Sequence, residues 1–276
     1  MVSSPASSRP QRPVALVTGA ARRMGRHIAQ HLAQNGWEVV VHARAASVAD
    51  AQGTLELVRA AGASGWLLQA DLADEAACQA LVPQAVAAAG RLDAVVNNAS
   101  LFEYDDVAAF STAAMDAHWR SNTAPAVILA RALHTHLVNR QAKGCVVNLL
   151  DQKLANPNPD YFSYTLSKAA LAEATVMLAQ ALAPTLRVCG VSPGVTLVSG
   201  PMTEAEFDAA RRLTPLQHSS TPEDIAQAVH FLLQAPAITG HTLLVDGGQH
   251  LMGQPRDVLF LAQQQAATAS PASKDL

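Results

Sequence analysis

Short apolar runs alternate along this chain with longer stretches of helical period. Val14-Ala-Leu-Val-Thr18 is apolar up to its last residue and reads as a strand buried on both faces. Arg26 to Asn35 follows with helical spacing and stops at Gly36. The alternation then repeats. Glu38 to His42 reads as a strand and Val48 to Ala61 as a helix; Trp66 to Gln69 is a strand and Asp74 to Ala89 a helix; Leu92 to Asn97 is a strand. Gly62 and Gly90 stop the second and third helices. A long helical region, Thr112 to Asn139, leads into a strand at Cys145 to Leu149. A helix from Tyr161 to Ala183 precedes a strand at Arg187 to Ser192, and a helix from Pro222 to Leu233 precedes a last strand at His241 to Val245. Strands of Val and Leu spaced by helices predict a doubly wound α/β fold, a parallel seven-stranded sheet with helices on both faces.

Val195 to Thr221 breaks the pattern, with a short helix expected only at Glu204 to Arg212. It follows the carboxyl end of the sixth strand, the edge where open α/β sheets bind ligands, so it reads as a lid. Residues 1–13, rich in Ser, Pro and Arg, read as a flexible arm. Residues 14–256 read as one domain and 257–276 as a tail, disordered from Ala267 onward.

Composition narrows the function. Half the residues are hydrophobic and the net charge is −3, with no basic stripe, so no nucleic-acid partner is expected. No apolar run is long enough to cross a membrane and the N-terminus lacks a signal-peptide core, which predicts a cytoplasmic protein with no membrane partner. Three cysteines without CxxC spacing predict buried inert thiols, not disulfides or zinc. His27 and His31 are four apart, but no acid completes an HExxH pattern, so no metal is expected.

Two stretches carry chemistry. Thr18-Gly-Ala-Ala-Arg-Arg-Met-Gly25 joins a strand to a helix N-terminus, where backbone N–H groups can approach a pyrophosphate. Tyr164 and Lys168, four apart, share a helix face. An ammonium beside a phenol favours the phenolate, which predicts a lowered pKa for Tyr164 and a proton donor near neutral pH. Tyr161 has Thr165, not lysine, four residues on and reads as a wall or entrance residue. His218 and His250 are candidates for the site entrance.

These stretches, with Asn97-Asn-Ala-Ser100, Pro193-Gly194 and Val245-Asp-Gly-Gly248, resemble the short-chain dehydrogenase/reductase family from about Val14 to Gly248. The resemblance implies a Rossmann-type fold with Tyr164 and Lys168 as the family's YxxxK pair. Three departures resemble its pteridine reductase branch: Arg23 where most members have a glycine, Ser100 in place of glycine, and Asp151 in place of the usual serine. The branch implies that Arg23 reaches cofactor phosphate and substrate, that Phe102 stacks on a pterin, and that Asp151 relays a proton to a ring nitrogen with Tyr164. Asp151 as a merely orienting group stays open, as does Tyr104 at the mouth. Asn122 matches the family asparagine that holds a water on the lysine side of the relay.

Cofactor residues follow from the same resemblance. Gly19, Arg22, Arg23 and Met24 belong to the turn, and Asn98, Ala99 and Ser100 to the fourth strand's end. Pro193, Gly194, Val195 and Thr196 lie beside the nicotinamide, and Asp71 with Leu72 beside the adenine, although Asp71 can equally start a helix. NAD enzymes end the second strand with an acid; His42-Ala-Arg44, with Ser47 close behind, suits a 2′-phosphate and predicts NADPH. A surface role for Arg44 is the alternative. The expected function is NADPH-dependent reduction of a dihydropterin or dihydrofolate by a homotetramer. A carbonyl reductase acting on a ketone or acyl-carrier thioester and a non-catalytic NADPH sensor are the alternatives.

Overall fold

The computed structural model describes residues 12–198 and 202–269. Seven parallel strands form one sheet in the order β3-β2-β1-β4-β5-β6-β7. They are β1 (Val14–Val17), β2 (Glu38–Ala43), β3 (Gly65–Gln69), β4 (Ala94–Asn97), β5 (Gly144–Leu149), β6 (Leu186–Pro193) and β7 (Thr242–Val245). The helices are α1 (Arg23–Gln34), α2 (Val48–Ala60), α3 (Glu75–Ala89), α4 (Thr112–His118), α5 (Ala124–Asn139), α6 (Phe162–Ala181), α7 (Glu204–Arg212), α8 (Pro222–Gln234) and α9 (Val258–Ala269).

The uninterrupted apolar strands are explained by burial on both faces. Ala15 and Val17 pack with Ile28 and Leu32 of α1, Val58 of α2 and Ile225 of α8. Val14 and Leu16, one residue out of phase, pack on the other face with Leu81 of α3 and Leu129 and Leu133 of α5. β1 pairs with β2 on one side and β4 on the other, so the strand order reverses there. That reversal opens a crevice at the carboxyl ends of the strands.

Three elements differ from the sequence reading. α1 starts at Arg23, earlier than the apolar spacing suggested, because Arg22 is extended and Arg23 enters the helix at φ 53°. The long helical region is split by a wide π-type turn, Trp119–Thr123, between α4 and α5. The tail carries α9, which runs into the stretch expected to be disordered. Residues 1–11, 199–201 and 270–276, which include most of the expected arm, lie outside the described residues.

The lid segment holds α7 where expected, its first turn closed by a reciprocal Thr203–Glu206 capping box. α7 and α9 share a small buried cluster of Met202, Ala210, Val258, Leu259 and Ala262. The C-terminal segment is thereby folded onto the lid. All three cysteines are buried and free. No helix among the described residues is long and apolar enough to cross a membrane.

Candidate active site

Two cavities open at the carboxyl ends of the strands and share Arg23, Met24, Asn98 and Ser100. The first, about 370 Å³, lies over β1, β2 and β4 and is lined by Gly19, Arg22, Ala99 and the carboxyl end of β2. Its floor is a turn that tolerates no side chain at two points. A Cβ on Gly19, at φ +62°, would lie 2.9 Å from the Ala99 Cα, and one on Gly25 would lie 2.4 Å from the Gly19 carbonyl. Asn98 clamps the turn by donating to the Thr18 and Gly19 carbonyls at 2.9 and 3.2 Å. Thr18 Oγ1 accepts from the Asn98 and Ala99 N–H groups, both at 3.0 Å. The α1 N-terminus carries no side-chain cap, so its positive dipole end faces the cavity for an anion to use.

His42 ends β2 with both ring nitrogens engaged. Nδ1 accepts from the Gly19 N–H at 3.2 Å and Nε2 reaches the Ala70 carbonyl at 3.1 Å. Burial pushes its pKa down to about 4, so the ring is neutral and serves as a wall that ties the turn to β3. Arg44 and Ser47 line the same cavity, with Arg44 exposed. Arg22 stands 3.7 Å from Asp50 across the rim. Asp71 and buried Leu72 line the far end. The Asp71 carboxylate accepts from the Ala73 N–H, whereas the cap of α3 is Asp74. A glycine cradle, an uncapped helix end and a cation, Arg44, at the β2 end together fit a phosphorylated dinucleotide.

The second cavity, about 310 Å³, is lined by Asp151 and Tyr164. Tyr164 and Lys168 sit on consecutive turns of α6. Asp151 follows β5 and caps the short turn Gln152–Ala155, one oxygen accepting from the Lys153 N–H at 2.8 Å. Its other oxygen accepts the Tyr164 hydroxyl at 2.9 Å. Lys168 Nζ donates to the Leu149 carbonyl at 2.7 Å. Burial lowers this ammonium to about 8, opposed by the Asp151 charge. The lowered phenol pKa expected from spacing is reversed in the structure: burial, then the Asp151 carboxylate, push Tyr164 well above its usual value. Burial is the larger cause, and proximity decides between the two charges. The carboxylate touches the hydroxyl, while the lysine nitrogen lies 5.8 Å from the ring centroid.

Asn122 sits in the π-type turn with its side chain fully occupied. It accepts from the Leu101 N–H at 2.6 Å, and donates to the Leu101 carbonyl at 3.0 Å and to Ser167 Oγ at 2.9 Å. Ser100 donates to it at 3.2 Å, and Ser167 donates to the Tyr164 carbonyl at 2.7 Å. Asn122 therefore ties the β4 loop to the tyrosine's helix. Phe102, 40 % exposed, lies in that loop and lines the cavity. One face of its ring stacks on Tyr161 at 4.3 Å and 14°, and it meets Tyr164 edge-on at 4.7 Å. Tyr161 is a buried wall held at φ 53°, its phenol pushed up to about 12 by burial. Tyr104 packs edge-on against Tyr161.

Pro193, Gly194, Val195 and Thr196 form the opposite wall. A Cβ on Gly194 would lie 2.8 Å from the Asp246 Cα, so the Asp-Gly-Gly turn buttresses this wall directly. Thr196 Oγ1 is shared between the Gly194 carbonyl at 2.9 Å and Ser220 Oγ at 2.7 Å. Neither His218 nor His250 lines the cavity; His250 pairs with Asp246 at 2.8 Å.

The sequence reading missed the C-terminal wall: Gln249, Asp257, Val258 and Leu259 all line the second cavity. An aspartate directly before Val258-Leu-Phe-Leu is a helix-start signal that would have found it. The wall is fastened by Asp160, which takes a bidentate bond from Arg256 at 2.8 and 2.9 Å and the Asp257 N–H at 2.8 Å. Buried Lys153 donates to the Asp160 carbonyl and lies 3.7 Å from the Asp257 carboxylate.

Known proteins resemble this chain over most of its length. A family model described as enoyl-(acyl carrier protein) reductase matches residues 19–250. The structure of FolM alternative dihydrofolate reductase 1 from Brucella suis, in complex with NADP, superposes with a TM-score of 0.82 at 38% identity, covering 87% of this chain and 95% of that one. Pteridine reductase 1 of Leishmania tarentolae is 32% identical over 283 residues, covering 88% of this chain and 98% of that protein. The 3-oxoacyl-[acyl-carrier-protein] reductase FabG of Staphylococcus aureus is 33% identical over 255 residues, covering 86% and 98%.

Proposed function

Since the chain belongs to the short-chain dehydrogenase/reductase family, we propose that it reduces a dihydropterin or dihydrofolate to the tetrahydro form with NADPH. The observation that carries the reading is the 2.9 Å hydrogen bond from the Tyr164 hydroxyl to the Asp151 carboxylate. A hydroxyl at that place would suit a carbonyl oxygen. A carboxyl joined to a phenol suits a C=N bond, which needs a proton delivered to nitrogen as a hydride reaches carbon.

The cofactor residues are those that line the first cavity, joined by the Pro193–Thr196 wall of the second. The turn from Gly19 to Met24 and the α1 N-terminus would hold the pyrophosphate. Arg44 and Ser47 would hold the 2′-phosphate, and Asp71 and Leu72 would flank the adenine. Asn98, Ala99 and Ser100, with Pro193 to Thr196, would frame the nicotinamide end. NADPH, when bound, supplies the hydride. Tyr164, whose pKa is raised, keeps its proton through neutral pH and so has one to give. Asp151 orients that hydroxyl and shares the proton transfer. Lys168 fixes the β5 end through Leu149 and places a positive charge beneath the tyrosine. Asn122 sets the register between the β4 loop and α6, while Phe102 and Arg23 bound the ring's place.

The similarity to FabG supports a second reading, reduction of an acyl-carrier ketone. NADPH oxidation with dihydropterins, dihydrofolate and a ketone panel separates the two. Pteridine turnover that falls at least about 100-fold in Asp151→Asn and Tyr164→Phe supports the first reading. Ketone turnover alone, kept or raised in Asp151→Ser, replaces it with the second. We also propose that copies associate as a homotetramer, with Leu166 and Met177 of α6, both exposed, in the interface.

A further inference from the structure

The substrate cavity holds a buried ammonium that the reaction above does not use. Lys153 is 5 % exposed and is the only lysine lining that cavity among the described residues. It stands two residues after Asp151, in the turn Gln152–Ala155. Its backbone N–H donates to one Asp151 oxygen at 2.8 Å, and the other Asp151 oxygen accepts the Tyr164 hydroxyl at 2.9 Å. Its side chain turns the other way. Nζ donates to the Asp160 carbonyl and lies 3.7 Å from the Asp257 carboxylate. Asp160 in turn takes the Arg256 guanidinium at 2.8 and 2.9 Å and the Asp257 N–H at 2.8 Å. An unbroken chain of polar contacts therefore runs from the start of α9, through Lys153, to the hydroxyl that gives up a proton.

We propose that Lys153 is a positioning residue for the proton transfer: it orients the Asp151 carboxylate and, by dividing its charge between Asp151 and Asp257, sets the pH range over which the Asp151–Tyr164 pair works. The inference rests on the pteridine reading above. Three carboxylates surround the ammonium. That of Asp160 is already met by Arg256, whereas Asp257 has only Lys153 and the Leu259 N–H. Burial lowers the Lys153 ammonium from its ordinary value, and the charges of Asp257, Asp151 and Asp160 oppose the fall. Burial raises the Asp257 carboxyl; the Lys153 charge opposes the rise and the Asp151 charge adds to it. The other titratable groups nearby are Tyr161, whose ring centroid lies 5.6 Å from Nζ, Tyr164, and Lys168 on the far side of Asp151. A cation beside an acid favours its ionised form and a carboxylate beside it favours the protonated one. Without the Lys153 ammonium the pair keeps its proton to higher pH; without the Asp257 charge it loses its proton at lower pH. The sign is the same for Asp151, Tyr164 and Lys168, so it holds whichever of them limits the rate. A lysine that only fastened the C-terminal segment would lower the rate equally at every pH.

The pH dependence of kcat, measured with 6-methyl-7,8-dihydropterin and with dihydrofolate, tests this role in the wild type, Lys153→Met and Asp257→Asn. Lys153→Met is expected to lower kcat at pH 7 at least about tenfold with KM within about threefold, and to move the basic limb of the profile up by about one unit. Asp257→Asn keeps the ammonium and its contacts with Asp160, and is expected to move the same limb down by about half a unit. Loosening of the fold does not produce shifts of opposite sign. Removing a cation from among buried carboxylates can unfold a chain, so NADPH titration by fluorescence reports folding. Asp257→Asn, nearly isosteric, carries the test alone if the methionine variant does not fold. A basic limb that stays in place in the folded variants, while the wild type reduces either pteridine, would overturn the positioning role and leave the pteridine reading standing. A wild type that reduces neither would overturn both.

Discussion

Arg23 occupies a left-handed backbone conformation at φ 53°, which costs an L-residue about 1–2 kcal/mol. Its guanidinium spends a hydrogen bond on the Val198 carbonyl at 2.7 Å, joining the cofactor turn to the lid. Arg23→Gly is therefore expected to raise stability by about 1 kcal/mol while raising KM for NADPH and substrate, read by thermal melts and kinetics. His42 makes a second residue-scale test. Its pKa is about 4 in the fold against 6.5 for an unperturbed ring. The stability it contributes is complete above pH 6.5 and is lost as pH falls toward 4, because the unfolded chain takes a proton that the buried ring refuses. The loss is about 3 kcal/mol, so melting temperatures of the wild type should fall more steeply between pH 6.5 and 4 than those of His42→Asn. Equal slopes would show that the folded ring takes up its proton as readily as the unfolded chain does. Sequence spacing put Tyr164 and Lys168 on one helix face and the family resemblance brought in Asp151; in the structure Asp151 and Tyr164 line one cavity, with Lys168 buried one turn along α6. Spacing misjudged the sign of the tyrosine shift, because helix spacing shows neither the burial of the phenol nor its contact from α6 to Asp151 after β5.

At the scale of elements, apolar runs and glycine stops located every strand, most clearly in the sheet interior, where burial on both faces leaves an unmistakable pattern. Two elements escaped. The π-type turn at Trp119–Thr123 has no sequence period of its own, and α9 hides in a stretch whose Ala and Thr content resembles a loose tail. The α7–α9 pair is the element with most consequence. Its cluster is small, so one charge should release it. Ala262→Asp, at a buried position in that cluster, is expected to raise KM for substrate about tenfold while the NADPH dissociation constant stays within about twofold. A parallel rise in both constants would mean that the lid and the cofactor turn move as one body.

For the whole molecule, the exposed apolar residues of α6 suggest how copies meet. Leu166 and Met177 are eleven residues apart, three helical turns, and thus lie on one stripe; Met177 is 66 % exposed. Light scattering is expected to give four times the chain mass, and Met177→Asp to reduce it. A monomeric wild type would remove α6 from consideration. The architecture also separates two decisions along the chain. The dinucleotide cradle is encoded mostly within the first hundred residues, whereas Gln249, Asp257 and α9 come from the last thirty. Chain termini accept change more readily than sheet interiors. Descendants of such a gene can therefore trade one C-terminal segment for another, acquiring new diets while the engine that burns the common fuel is inherited intact.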